Sequence, residues 1–392
     1  MTDYAAYAAE LRHELHQCPE IGFDLPQTLA VVRRELNAMG IEFTEKYARS
    51  SIVGVINPEK TQFTIGIRAD MDALPIEEKS SNPFKSKNPG KMHACGHDAH
   101  TATLLAVARQ LNDMKDQIRC RVKLLFTPAE EYITPGCKEM VEGGVMDDID
   151  CVIACHVDND LEVGSIYLNA GGYNANSMGF TVEFFGTPAH AIAQQNGVDA
   201  IHMAVQAYMA MEMMVAKEIP ATTPKLLNIG MVKGGVTNNI ICNYCKMFGS
   251  CRSFDDDVAA KMERRIKEIC QGVAAMAGGR AEVTINKFLP YVINNETMTE
   301  RMRVAAAKVI GEDHITEKLR PMGGEDFAFL GRVKPGVMFR LGTRGDNPDT
   351  HNKAHNDKFD VDERCFAVSI PIFVQFVLDN MDGISFEGRD GK

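Results

Sequence analysis

Short unbroken apolar runs punctuate the first half of the chain and recur near its end. Thr64-Ile65-Gly66-Ile67-Arg68, Val122-Lys123-Leu124-Leu125-Phe126, Val152-Ile153-Ala154-Cys155 and Gly336-Val337-Met338-Phe339-Arg340-Leu341 stand between segments of helical period. Runs of this length predict strands covered on both faces, and so an α/β unit built on a mostly parallel sheet. Side chains that act on ligands collect at the carboxyl ends of such strands. Polar residues follow each run there. They are Ala69 to Pro75 with Asp70 and Asp72, Thr127 to Glu131 with an acidic pair, His156 directly after Cys155, and a loop holding His351 and His355.

From about Ser177 the pattern changes. An alternating run from Met178 to Phe185 precedes a long helical stretch from Asp199 to about Lys217, and strand-like runs follow from Lys225 to Val232 and from Cys245 to Phe254. A second helix opens near Asp256-Asp257, stops at Gly278-Gly279, and is followed by a strand from Ala281 to Ile285. This β-α-β-β-α-β order predicts a ferredoxin-like α+β sandwich inserted into the first unit. The expected division is a catalytic domain of residues 1–177 and 290–392 with an inserted domain of residues 178–289. Methionines 203, 209, 211, 213 and 214 read as core and interface filler. A ferredoxin-like sheet leaves edge strands open, and symmetric pairing of two copies would cover them, so a homodimer or higher homo-oligomer is expected.

Length and charge narrow the function classes. A chain of 392 residues, 45% hydrophobic and 24% charged, exceeds what one core usually organises, which agrees with two domains. The net charge of −11 argues against nucleic acid or an anionic membrane as partner. The N-terminus lacks a basic stretch leading into an apolar one, and no run approaches the length of a membrane span. A cytoplasmic location is expected, with the eleven cysteines reduced. The Cys242-Asn243-Tyr244-Cys245 pair has redox or zinc-knuckle spacing but no second pair, and reads as structural.

The densest chemistry lies in Met92-His93-Ala94-Cys95-Gly96-His97-Asp98-Ala99-His100, at the start of a helix. Cys95 and His97, separated by Gly96, can present sulfur and nitrogen to one ion, with Asp98 and His100 orienting them from behind. With Glu131, His156 and His355 they make five candidate metal ligands. That set is too large for one tetrahedral ion but suits two ions about 3.5–4 Å apart. Adjacent carboxylates let Glu131 bind metal while Glu130 stays free as the general base of a hydrolase. A thiolate among imidazoles suits zinc, with manganese, cobalt and nickel also compatible. On its own His190, in Gly186-Thr187-Pro188-Ala189-His190, is a surface loop histidine. Arg252 could clamp a substrate carboxylate or pair with Asp255.

Several of these motifs together resemble a known family. Arg68-Ala69-Asp70-Met71-Asp72-Ala73-Leu74-Pro75, His93-Ala94-Cys95-Gly96-His97-Asp98, Pro128-Ala129-Glu130-Glu131 and Gly323-Gly324-Glu325-Asp326-Phe327 are similar to those of the dinuclear metal-dependent amidohydrolases, which include hippurate hydrolase, N-acyl-amino-acid amidohydrolases and auxin-conjugate hydrolases. The likeness runs from Arg12-His13-Glu14-Leu15-His16 and Pro19-Glu20-Ile21-Gly22 to His355 and Phe359-Asp360. It implies Cys95, His97, Glu131, His156 and His355 as ligands and Glu130 as base. It also implies that the inserted domain is a lid and dimer contact in which His190 stabilises the oxyanion and Asn239 approaches substrate. Asp72 is expected to hold a ligand from behind, and Glu325 to support the metal rim or the amine end of the substrate. Two segments depart from the pattern. Gln194-Gln195 stands where relatives carry Pro-His, and Asp158-Asn159-Asp160-Leu161 lacks the usual proline-rich stretch. The expected activity is hydrolysis of N-acyl amino acids or small amide conjugates. A dipeptidase or carboxypeptidase on the same scaffold is the alternative, and a non-catalytic metal-binding protein a more distant one.

Overall fold

The computed structural model describes residues 2–317 and 321–386. Their contacts divide into two compact units, Met1–Tyr173 with Ile293–Leu319 and Asp326–Lys392, and Asn174–Val292 with Arg320–Glu325. The first unit is built on an eight-stranded sheet in the order Glu42–Thr44, Ile52–Ile56, Arg121–Thr127, Thr64–Asp70, Cys151–Glu162, Gly336–Arg344, Ile166–Tyr167, Ile315–Thr316. Its four central strands, from Arg121–Thr127 to Gly336–Arg344, pair in parallel. The two strands at the Glu42 edge run antiparallel to their neighbours, as does Ile166–Tyr167 against Gly336–Arg344. All seven residues of Thr64–Asp70 are buried, as an apolar run in a doubly covered sheet requires.

One placement differs from the expectation. His156 does not end its strand but lies inside Cys151–Glu162. Pairing with Thr64–Asp70 stops at Ala154, whereas pairing with Gly336–Arg344 continues past His156. His156 is thus beyond the rim of one neighbour while backed by the other, so it still faces the carboxyl ends of the strands.

The helix His97–Asp113 starts at Gly96, whose φ of 84° is left-handed. A Cβ there would also lie 2.4 Å from Val157 Cγ2, so only glycine fits between Cys95 and His97. Helices Tyr4–Gln17 and Phe366–Asn380 pack against this helix and contribute to the same core.

In the second unit the strands order as Arg280–Leu289, Ser177–Phe185, Tyr244–Ser253, Lys225–Gly234, all antiparallel. With helices Ala200–Glu218 and Asp256–Met276, capped by Asp199 and Asp255, this is the ferredoxin-like arrangement. Met203, Met211 and Met214 are core, whereas Met209 and Met213 are exposed. Among the described residues no helix is long and apolar enough to cross a membrane.

Candidate metal centre

Cys95, His97 and His156 converge in the first unit with their ligand atoms within 4.8 Å of one another, and Cys95, Glu131 and His355 do the same. Cys95 is common to both groups. Glu130 belongs to a third, with His97 and Glu131. A further cluster, Asp70, His97 and His100, has the right residue types but cannot use His100. The His100 Nδ1–H donates to Asp70 Oδ1 at 2.6 Å while Nε2 accepts the Val157 N–H at 3.0 Å. With both nitrogens engaged, His100 is a pillar behind the site and not a ligand.

His156 is the opposite case. Its Nδ1–H donates to the Val157 carbonyl at 2.7 Å, leaving the Nε2 lone pair aimed at Cys95 Sγ, 3.5 Å away. Burial, helped by Arg340, holds this imidazole well below its ordinary pKa, so it stays neutral as a ligand must. Both His97 nitrogens and Glu131 Oε1 are buried without a hydrogen bond, as is Asp70 Oδ2, which is ion-paired with Arg68 Nη1 at 2.9 Å. His355 Nε2 lies 2.9 Å from Glu131 Oε1, close enough for an ion pair but not aligned as a hydrogen bond. Orphaned buried nitrogens beside carboxylates cost free energy unless a cation satisfies them. The donor set therefore fits divalent metal. Burial pushes the Cys95 thiol up, so metal binding would release its proton.

Local backbone geometry aims these groups. Ala129 and His355 both take left-handed φ, 57° and 69°, which non-glycine residues adopt only when held. Asp72 supplies one hold. Its Oδ1 accepts the Glu130 N–H at 3.0 Å and its Oδ2 the Glu131 N–H at 3.1 Å. The carboxylate also sits 3.4 Å from His97 Nδ1, so it orients the acidic pair as well as a histidine. Glu20 accepts the Thr28 N–H at the start of helix Pro26–Met39, while its carbonyl accepts the Ala73 N–H beside Asp72.

Asp98, expected behind the metal, turns the other way. Its Oδ2 accepts from Arg12 Nε at 3.2 Å and from His16 Nδ1 at 2.7 Å, and His16 Nε2 reaches Glu78 at 3.2 Å. Arg12 also pairs with Asp360 and Glu363, tying the helix that carries His97 to the chain beyond His355. Burial alone would lower the His16 pKa, but the Asp98 and Glu78 carboxylates outweigh it and hold it at about 9. The folded value lies above the ordinary one near 6.5, so the charged imidazole stabilises the fold below that pH and the contribution fades as pH rises through about 9. The melting temperature of metal-stripped protein should fall by a few degrees across this window, with His16→Gln showing a flatter slope. Equal slopes in the two proteins would remove His16 from the account.

Of the other residues singled out in the sequence, His190 and Asn239 are brought together within the second unit. His190 bridges Ile240, and the Ala191 N–H donates to the Asn239 carbonyl at 3.0 Å. Both side chains are exposed. Arg252 is half-buried and makes no hydrogen bond or ion pair among the described residues, while Asp255 is occupied in capping its helix. Glu325 is buried in the same unit's terminal segment.

Comparison with known proteins identifies the family. The chain is 35% identical over 353 residues, 90% of its own length and 83% of the other, to an N-acetyl-L-cysteine deacetylase of Bacillus subtilis. It is 32% identical over 357 residues, 90% of each chain, to thermostable carboxypeptidase 2 of Saccharolobus solfataricus. A dinuclear metal-binding peptidase of the M20 family from Bacillus subtilis superposes with a TM-score of 0.83 at 28% identity, covering 97% of this chain and 99% of that one. The model of peptidase family M20/M25/M40 matches residues 66–379, which is most of the chain, and the protein is therefore a hydrolase belonging to that family.

Proposed function

We propose that this hydrolase cleaves the amide bond of N-acyl amino acids or related small amide conjugates. The observation that carries the reading is the pair of ligand groups sharing Cys95, with Glu130 adjoining them. Cys95, His97, Glu131, His156 and His355 would hold two divalent ions, zinc being best suited to the thiolate and imidazoles, with manganese, cobalt or nickel as alternatives. Bound there, the ions would acidify a water molecule and polarise the scissile carbonyl. Glu130 accepts the proton of the attacking water and returns it to the leaving amine. Asp72 keeps Glu130 in place through its backbone N–H. His190 donates a hydrogen bond to the oxygen that becomes negative, Asn239 adjoins it on the substrate, Arg252 receives a carboxylate, and Glu325 supports the metal rim or the amine end.

A homodimer is part of the proposal. Ile201, Val205, Met209 and Met213 stand exposed at four-residue intervals on helix Ala200–Glu218, beside the open edge strand Lys225–Gly234 with exposed Leu226, Met231 and Val232. An apolar stripe joined to an unpaired strand edge is what a second copy would cover. All eleven cysteines are free, as suits a cytoplasmic protein.

The carboxypeptidase relative keeps a peptidase reading in view, and one panel separates the two. Purified protein loaded with each metal in turn should hydrolyse N-acyl amino acids faster than dipeptides with a free amine. Preference for the dipeptides would overturn the acylase reading. Cys95→Ala should lose metal by elemental analysis along with activity, and full metal content with full turnover in that variant would remove Cys95 from the ligands.

A further inference from the structure

The segment after His156 that departs from the family pattern has a specific task in this chain. Asn159 is buried, 5% exposed, on the strand Cys151–Glu162. Its amide nitrogen donates to the Asn352 carbonyl at 2.6 Å and to the Asp360 carbonyl at 2.9 Å, and its oxygen accepts from Thr343 Oγ1 at 2.5 Å. Asn352 and Asp360 bracket His355. One amide group thus closes both ends of the loop that presents this histidine, while Thr343, fully buried on the next strand, fixes the amide's orientation.

Exposed contacts also tie this loop, the Lys79 N–H donating to the Asp357 carbonyl at 2.6 Å, Asn352 Nδ2 to the Lys358 carbonyl at 3.2 Å and Lys353 Nζ pairing with Asp160 at 3.1 Å, but Asn159 holds its two ends from the buried side. Residues 353–356 are all exposed, and packing begins only at Phe359. His355 takes a left-handed φ of 69°, and its N–H donates to the Ala94 carbonyl at 2.7 Å, next to Cys95. A strained, exposed turn keeps its conformation only where hydrogen bonds impose it. Asn159 lies three residues after His156, so the strand that carries one candidate ligand also sets the position of another. A proline at that place has no side-chain donor to do this.

We infer that Asn159 is a positioning residue that holds His355 within reach of Cys95 and Glu131, and that the second metal is bound tightly only while this amide closes the loop. The inference rests on the proposed two-metal reading. Removing the donors should weaken the binding event that depends on His355 by on the order of tenfold and leave the group of Cys95, His97 and His156 occupied.

The test is titration of metal-stripped protein with zinc, in competition with a chromophoric chelator, for wild type, Asn159→Leu, His355→Ala and the double variant, with circular dichroism to verify folding. Two ions should bind wild type, with one event weakened in Asn159→Leu. In the His355→Ala background, Asn159→Leu should add nothing, because the loop then has no ligand to place. Wild-type affinity in Asn159→Leu, or an equal further loss on top of His355→Ala, would overturn the inference alone. Fewer than two ions in wild type would overturn the two-metal reading and the inference with it. Should Asn159→Leu fail to fold, Thr343→Val leaves the amide in place without its anchor and should weaken the same event, and unchanged affinity there refutes the role.

Discussion

Glu130→Gln should lower turnover by roughly two orders of magnitude or more while leaving substrate affinity near its wild-type value. The amide keeps the shape of the carboxylate but cannot accept a proton at neutral pH. The backbone should not respond, because Asp72 holds the Glu130 and Glu131 N–H groups and the left-handed Ala129 before them, whatever the side chain at 130. Metal content should also persist, since Cys95, His97, Glu131, His156 and His355 are unchanged. The measurement is kcat and KM on a single N-acyl amino acid, with metal analysis of the same sample. A fall in kcat at constant KM and constant metal identifies the proton acceptor. Near-normal kcat would make Glu130 a bystander and move the search for a base to Asp72 or Glu325. Metal loss in parallel would instead mean that Glu130 is a ligand, and the division of labour within the acidic pair would have to be reversed.

Why the convergence of these side chains was legible before the fold was known is a matter of range. A buried parallel strand needs a continuous apolar run, and the polar residues that end it are local in sequence, so Asp72, Glu130 and Glu131 could be read as rim groups from Thr64–Asp70 and Arg121–Thr127 alone. Gly96 between Cys95 and His97 is likewise a local signal, and the left-handed turn there is its consequence. The ferredoxin-like order in the second unit followed from alternation and two capped helices for the same reason. Single hydrogen bonds between distant residues have no such signature. Arg12 reaches Asp360 across 348 residues, and Asn159 reaches Asn352 across 193. Nothing periodic marks either pair. The helix motif around Arg12 and His16 stands out as text, but adjacency to His97 suggests Asp98 as a group orienting the ligands from behind and says nothing about which way a side chain turns on a helix. The continuation of the His156 strand to Glu162 was hidden for a related reason. Asp and Asn are depleted in strands, so nothing in Asp158-Asn159-Asp160 predicts one, yet pairing with Gly336–Arg344 reaches Asp158 and, after a register shift, resumes at Glu162.

His190→Ala should cost roughly two orders of magnitude in kcat, and the lost activity should return when that protein is mixed with inactive Glu130→Ala protein under conditions that exchange subunits. The argument starts from exposure. His190 and Asn239 sit together on loops that also leave Ile192 and Val236 89% exposed, and the neighbouring helix and edge strand carry an uncovered apolar stripe. In the proposed homodimer a second copy would cover this surface, on an inserted domain with an open sheet edge, and would bring its own His190 toward a metal centre not in its chain. In a mixed dimer one site then lacks both groups while the other has both intact. Random exchange of equal amounts should restore roughly a quarter of wild-type activity, since half the dimers are mixed and each of those has one working site. If His190 serves its own chain, every site in every dimer stays defective and mixing restores nothing. Sedimentation of the same mixture distinguishes that result from a failure to exchange. A monomer at catalytic concentrations would refute the shared site while leaving the metal ligands and Glu130 untouched, because all of them belong to the first unit.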